Sequence, residues 1–267
     1  MGRMGILVVV LVCIAGCQPW ASPEEYDNGL VVVLSGVGGD VCSTTVCDGL
    51  EAGGVDYAIE MFPWTSPLGM FDSLQNVKRN REQAQEVADR IAAYQDEHPD
   101  KPVFLVGHSG GGGIAVWAAE ALPADRAVDG IVLVSPALSP GYDLRPAMAR
   151  SHGGVVNFCS ELDWFILGVG TTVYGTIDRE YVDSAGKVGF SSSDPSGQAY
   201  EHLLQVPWTV NSVGQGHLGG HTTSGSVWLI QNDVAPLIRE DFSEASLEAL
   251  RVKTAKAKAG YVRANVE

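Results

Sequence analysis

Along the chain, short and wholly apolar runs alternate with longer stretches in which apolar residues recur every three to four positions. Leu30–Leu34, Val103–Val106 and Ile131–Val134 are continuous apolar runs, the pattern of strands covered on both faces in a parallel sheet. Val55–Met61, Gly154–Cys159 and Val206–Val210 add three further strand expectations. From Asp72 onward, Leu74, Val77, Ala84, Val87, Ala88, Ile91 and Tyr94 recur at helical spacing with charges between them, which predicts one amphipathic helix stopped before Pro99. An alanine-rich helical pattern runs to Leu122. Val227, Trp228, Ile230, Val234, Leu237 and Ile238 mark a closing helix that Pro236 interrupts or ends. The order β, β, α, β, α, β predicts an α/β protein: a doubly wound, mostly parallel sheet with helices on both faces and right-handed crossovers. Ligands of such sheets bind at the carboxyl ends of the strands.

The segments between these elements are expected to be loops. Ser135–Gly154 carries Pro136, Pro140, Gly141 and Pro146 and reads as a surface connection, the best candidate for a short cap. Phe62–Pro67 is rich in aromatic residues and proline, and either walls a pocket or caps the sheet. Thr171–Tyr200 has no firm periodicity. Residues 243–267 hold Arg251, Lys253, Lys256, Lys258 and Arg263, the composition of a solvated basic helix.

The first sixteen residues change the picture of where the protein works. Arg3 is followed by an almost wholly apolar run from Ile6 to Ala15, too short to span a bilayer as a stable helix. It ends Ile14-Ala15-Gly16-Cys17, which resembles a bacterial lipobox, where the cysteine receives a diacylglycerol and becomes the mature N-terminus. The resemblance implies a signal peptide over 1–16 and lipidation at Cys17, and the chain beyond is expected to divide into a polar tether over 17–28, an α/β domain over 29–240 and a basic helix or tail over 241–267. It implies an extracytoplasmic, lipid-anchored protein of the cell envelope. The whole chain has 32 acids against 17 Lys and Arg, a net charge of −15. Loss of sixteen residues including Arg3 leaves 251 residues at −16, which argues against nucleic acid as a partner and against broad adhesion to anionic lipid.

Chemistry is concentrated where the run Val103–Val106 meets Gly107-His108-Ser109-Gly110-Gly111 and leaves as a helical pattern. A serine at such a strand–turn–helix junction is pushed out of the sheet edge, and the flanking glycines let chain segments pass at contact distance. Gly110, Gly112 and Gly113 exceed that need. They cost helix stability unless the first turn sits tight against a neighbouring strand or presents free N–H groups. This stretch resembles the nucleophile elbow of the α/β-hydrolase superfamily, particularly its lipase and esterase branches. The resemblance covers most of residues 28–240 and implies Ser109 as nucleophile. It places one oxyanion-hole N–H in Ser35–Asp40 after the first strand, assigned to Val37, and the other at Gly110; spacing does not decide which of Gly36, Val37 or Gly38 points inward. The acid is expected in the turn after a late strand, where Asp163 matches and Glu161 and Asp178 are rivals. The base is expected in the loop before the closing helix, at His221, with His217 as its rival. Ser109, Asp163, His221 is the superfamily's chain order.

The implied activity is cleavage of an ester or related acyl bond in a small-molecule or lipid substrate, through an acyl-enzyme. Fold alone does not choose among esterases, thioesterases, amidases, peptidases and acyltransferases. No cofactor is implied. The two histidines four apart sit among glycines, without a third ligand at metal spacing, so no metal is expected. A protein of another class, an envelope lipoprotein that binds a ligand or partner without catalysis on the same fold, is opposed by the intact serine, acid, histidine and glycine-rich loop. Cys42 and Cys47 sit among turn residues and could close a small disulfide loop in an oxidising compartment, while Cys159 ends an apolar run and reads as packing.

Overall fold

The computed structural model describes residues 21–39, 43–163, 174–191, 200–208, 220 and 225–264. Cys17, Cys42, His217 and His221 therefore lie outside the described residues. In chain order the elements are α1 (Pro23–Tyr26), β1 (Leu30–Leu34), α2 (Ser43–Ala52), β2 (Ala58–Phe62), α3 (Met70–Gln75), α4 (Val77–Glu97), β3 (Val103–His108), α5 (Gly110–Ala121), β4 (Gly130–Val134), α6 (Arg145–Met148), β5 (Val155–Cys159), α7 (Ala185–Val188), β6 (Leu203–Pro207), α8 (Val227–Leu229), a π-helical turn (Ile230–Val234), α9 (Ala235–Arg239) and α10 (Glu244–Ala264).

The strands form one parallel sheet in the order β2-β1-β3-β4-β5-β6. Alternate residues of each central strand enter opposite cores. Leu30, Val32, Leu34, Val103, Leu105, Ile131 and Leu133 pack beneath α4 and α5. Val31, Val33, Phe104, Val106, Val132 and Val134 pack beneath α2, the π turn, α9 and α10. Burial on both faces explains why these strands read as unbroken apolar runs. The chain leaves β1 for β2 on one side and returns to β3 on the other, so the winding reverses between β1 and β3. The carboxyl ends of those two strands flank a crevice there.

Several expectations need correction. A helix, α2, lies between β1 and β2 where turns were expected. Its Val46, Cys47 and Leu50 are fully buried, so Cys47 points into the core as a free thiol and not towards a disulfide partner. The single helix expected from Asp72 is broken at Asn76 (φ −87°, ψ 72°), whose side chain accepts the Arg79 N–H and caps α4. Ser135–Gly154 is not a surface connection throughout: Leu138, Leu144 and Ala147 are fully buried against α5, and α6 forms within it. Pro236 does not end the closing helix. The preceding turn widens, with the Ala235 N–H donating to the Ile230 carbonyl, and the helix continues through it to Arg239.

Within the stretch expected to be a tether, Pro23–Tyr26 forms a helical turn fixed to the body. The Tyr26 hydroxyl donates to Glu60 at 2.8 Å, Tyr94 donates to the Tyr26 carbonyl at 2.7 Å, and Arg90 engages both Glu60 oxygens. This ties the start of the described chain to the amino end of the sheet, where Leu30 N–H meets the Pro102 carbonyl at 2.9 Å.

Candidate active site

β3 delivers Ser109 to the crevice in a conformation that side chains rarely adopt, φ 53° and ψ −121°. Three backbone hydrogen bonds hold it. The Ser109 N–H donates to the Val134 carbonyl (3.0 Å), and the Ser109 carbonyl accepts from Gly112 N–H (3.0 Å) and Ala137 N–H (2.9 Å). A position so over-determined can retain backbone strain that a looser turn would relax. Ser109 is 5% exposed.

The glycine run is explained by contact. A Cβ at Gly107 would lie 2.6 Å from the Gly111 carbonyl oxygen, and one at Gly111 would collide with the carbonyl oxygens of Leu34 and Ser35. At Gly112 it would meet Pro136 Cβ at 2.7 Å, and at Gly113 the Ile177 side chain at 2.5 Å. The first turn of α5 is thus wedged between the ends of β1 and β4. The extra glycines, which looked costly in the sequence, are required by this close approach.

The loop after β1 lies directly beside the serine. A Cβ at Gly36 would sit 3.3 Å from Ser109 Cβ and 3.7 Å from its Oγ, while the side chain of Val37 lies over Gly110. Gly38 faces open space. The fixing element is Trp64, which the sequence left between wall and cap. It is fully buried, its indole N–H donates to the Ser35 carbonyl at 2.8 Å, and its ring edge abuts Gly110, 3.2 Å from where a Cβ would stand. One side chain therefore sets both the β1 loop and the start of α5. A Pro-Trp pair just after a strand is the only sequence sign of it.

On the other flank, β5 ends in a turn that carries Asp163, 2% exposed, with its N–H donating to the Ser160 carbonyl at 3.0 Å. β5 lies two strands from β3, a lateral separation of roughly 10 Å, which an imidazole inserted between serine and carboxylate could span. Glu161 is exposed. Asp178 is engaged elsewhere: its carboxylate accepts both the N–H (2.9 Å) and the hydroxyl (2.5 Å) of Ser139. The structure brings together Ser109, Val37 and Gly110, with Asp163 along the same edge. The proposed base falls outside the described residues.

Cys159 is buried at the end of β5. A cleft of about 670 Å³ lined by Gln95, Asp129, Arg150 and His152 opens at the amino ends of β3 and β4, the opposite edge from Ser109. It has no part in this site. Among the described residues, no group of His, Cys, Asp and Glu could hold a metal ion.

A six-stranded parallel sheet with a strained serine at the end of β3 and an acid beyond β5 defines the α/β-hydrolase fold, and this chain has it. Residues 74–193, from α3 past α7 and including both Ser109 and Asp163, match the hydrolase family described as serine aminopeptidase, S33. No curated protein matches the chain. Among solved structures, Est1E from Butyrivibrio proteoclasticus, described with ferulic acid bound, is similar at 12% identity over 84% of this chain and 94% of that one, TM-score 0.51. A poly(3-hydroxybutyrate) depolymerase from Bordetella parapertussis is similar at 14% identity over 86% and 85%, TM-score 0.48. A lipase-esterase related protein from Clostridium acetobutylicum matches at 16% identity, TM-score 0.33, over 46% of this chain, which spans 47% of that one.

Proposed function

We propose that this protein is a serine hydrolase that cleaves carboxylic esters through an acyl-enzyme, anchored in the cell envelope by lipid on Cys17. The observation that carries the catalytic reading is Ser109, held at φ 53° at the winding reversal of the sheet with the β1 loop against it. Ser109 Oγ attacks the ester carbonyl while His221 takes its proton. Asp163 orients the imidazole and stabilises its charged form. Negative charge develops on the former carbonyl oxygen, where the N–H groups of Val37 and Gly110 act as donors. Gly110 is the first residue of α5, whose opening N–H groups have no acceptor within the helix. The imidazolium returns the proton to the leaving alcohol, and water activated by the same imidazole then releases the acid. The strained serine and close-packed glycines oppose a purely binding role, which would not require a nucleophile held out of the sheet at this cost.

The test is labelling with a fluorophosphonate, followed by hydrolysis of p-nitrophenyl acetate. Ser109 is the expected site of label, and Ser109→Ala removes both label and turnover. Label that persists on a folded Ala variant would place the nucleophile elsewhere. His221→Ala is expected to lower kcat by about 10⁴-fold and His217→Ala by far less. The opposite ranking would exchange their roles. Lipid at Cys17 is read by mass spectrometry of the membrane fraction, and an unmodified mature N-terminus in the soluble fraction would overturn the anchor.

A further inference from the structure

The loop that follows β4, residues 136–140, is bonded to the nucleophile on one side and to the chain beyond the acid turn on the other. Its Ala137 N–H donates to the Ser109 carbonyl at 2.9 Å. Facing residues 176–191, the Pro136 carbonyl accepts from Gly186 N–H (2.9 Å) and the Ala137 carbonyl from Ile177 N–H (2.9 Å). The Leu138 carbonyl accepts from Ala185 N–H (2.7 Å) and the Pro140 carbonyl from Ser191 N–H (2.8 Å). The Gly186 carbonyl in turn accepts from Ser160 N–H at 2.9 Å, and the Ser160 carbonyl from Asp163 N–H at 3.0 Å. A run of main-chain bonds thus leads from the carbonyl of the serine to the turn that carries Asp163.

Ser139 is held in this loop by a charge. One carboxylate oxygen of Asp178 accepts the Ser139 N–H at 2.9 Å and the other accepts its hydroxyl at 2.5 Å. Ser139 is buried, so its N–H is costly to leave unpaired, and hydrogen bonds to an ionised acceptor are roughly twice as strong as neutral ones. Asp178 is itself preset by a tight turn around the fully buried Thr176. The Thr176 carbonyl accepts the Arg179 N–H (2.9 Å), its N–H donates to the Glu180 carbonyl (2.8 Å), and its hydroxyl accepts the Glu180 N–H (3.0 Å). Asp178 stands inside that turn, next to Arg179 at φ 69°. Strain of this kind persists only where the surroundings over-determine it.

We infer that Asp178 is a positioning residue for catalysis: by clamping Ser139 it fixes the loop whose Ala137 holds the Ser109 carbonyl, and so keeps the nucleophile in its strained conformation. This rests on the ester-hydrolase reading above, and Asp178 acts through the backbone of the loop, not on the substrate. Without the clamp, Ala137 withdraws from Ser109 and the φ of 53° relaxes. Ser109 Oγ then lies less often in line with the ester carbonyl, which lowers kcat and leaves ground-state binding nearly as it was. Asp178 is also a rival for the triad acid in the sequence, and the two roles respond oppositely to an amide. An asparagine keeps the clamp, its carbonyl oxygen accepting the Ser139 N–H and its NH2 donating to the Ser139 hydroxyl oxygen. An amide in place of a triad acid stabilises the wrong tautomer of the imidazole.

The test combines kinetics on p-nitrophenyl acetate with hydrogen exchange of the peptides spanning 106–113 and 134–140, for Asp178→Ala, Asp178→Asn and Ser139→Ala, each shown by urea unfolding to be folded under assay conditions. Asp178→Ala is expected to lower kcat about tenfold or more with KM within about threefold, and Asp178→Asn to keep kcat within about threefold of native. Exchange in both peptides is expected to quicken about tenfold in Asp178→Ala and to stay near native in Asp178→Asn. A folded Asp178→Ala protein with native kcat overturns the clamp. An Asn variant that loses about 10⁴-fold in kcat overturns it too, and makes Asp178 the triad acid. Should Asp178→Ala not fold, Ser139→Ala decides: it loses only the hydroxyl's bond, kcat is expected to fall about threefold with KM unchanged, and native kcat with native exchange overturns the clamp. Absence of hydrolysis by the native protein, with exchange still quickened in Asp178→Ala, overturns the ester-hydrolase reading and leaves the clamp standing.

Discussion

An alanine at position 111 would press its methyl against two carbonyl oxygens of the β1 end, Leu34 and Ser35, which are backbone atoms and cannot swing aside. In an ordinary helix interior, Gly→Ala stabilises by up to about 1 kcal/mol. Here the sign reverses, and Gly111→Ala is expected to destabilise by about 3 kcal/mol or more, or to prevent folding. Gly38→Ala, in the β1 loop but with open space around its Cα, is expected to stay within about 0.5 kcal/mol of the native protein. Urea midpoints of the two variants check both expectations. Trp64→Phe keeps most of the ring but removes the donor to the Ser35 carbonyl, so the loop that carries Val37 loses its tie. The expected result is a loss of about 1–2 kcal/mol of stability and a drop in kcat of about tenfold with KM little changed. A change confined to KM would mean that Trp64 only shapes the pocket. The strand–turn–helix junction at Ser109 was legible in the sequence because such a turn is a local pattern of glycines around one serine. Trp64 was not, since its role depends on which distant carbonyl its indole faces.

At the scale of elements, what was legible followed from periodicity, and what was missed followed from partners distant in sequence. β1, β3 and β4 were visible because burial on both faces leaves continuous apolar runs, whereas β6 is only half-buried along its length. The boundaries of β2 and β6 moved by a few residues because pairing, not hydrophobicity, ends a strand. α2 was missed because its core contacts are Val46, Cys47 and Leu50, a short stripe among threonines and glycines. Its close approach to the π turn is set by Gly49, where a Cβ would lie 2.6 Å from Ile230 Cβ. The break between α3 and α4 was hidden because the apolar spacing runs through it without a phase error, although Asn76 is a good capping residue. Removing its cap tests the break directly. Asn76→Ala is expected to destabilise by about 1 kcal/mol and Asn76→Asp by markedly less, since the aspartate can still accept the Arg79 N–H. Equal losses in urea unfolding would mean that the side chain contributes nothing as a cap.

The whole molecule carries two further consequences, one of buried acids and one of direction. Burial pushes the Cys47 thiol up to about 12, with Glu51 and Asp48 adding to it. Burial likewise pushes Tyr26, beside Glu60, and Tyr94 up to about 12. In the unfolded chain these groups ionise near ~8.5 for the thiol and ~10 for the phenols. The folded state therefore holds more protons between those values and about 12. The stabilisation is fully present below the unfolded values and is lost as pH rises through the window. Tm is expected to be level up to about pH 8 and to fall steadily above about pH 9, and calorimetry from pH 7 to 11 checks it. A Tm that rises over that range would contradict the assignment. Direction follows from α1, which fixes the start of the described chain to the amino edge of the sheet, whereas Ser109 stands at the carboxyl edge. β3 alone, six residues long, separates the two edges by roughly 20 Å. On the proposal that Cys17 carries the lipid, four residue steps join it to Ala21, a reach of at most roughly 14 Å, so the anchor cannot fold over to the catalytic edge. The site then faces away from the membrane that holds the protein and towards the aqueous side. Lipidated protein in vesicles is accordingly expected to hydrolyse a soluble ester with a kcat/KM within about twofold of Cys17→Ser protein in solution. A diacylglycerol ester embedded in the same vesicles should be cleaved no faster by the anchored form than by the free one. A gain of tenfold or more on the embedded ester would show that the site reaches its own bilayer and would overturn this orientation.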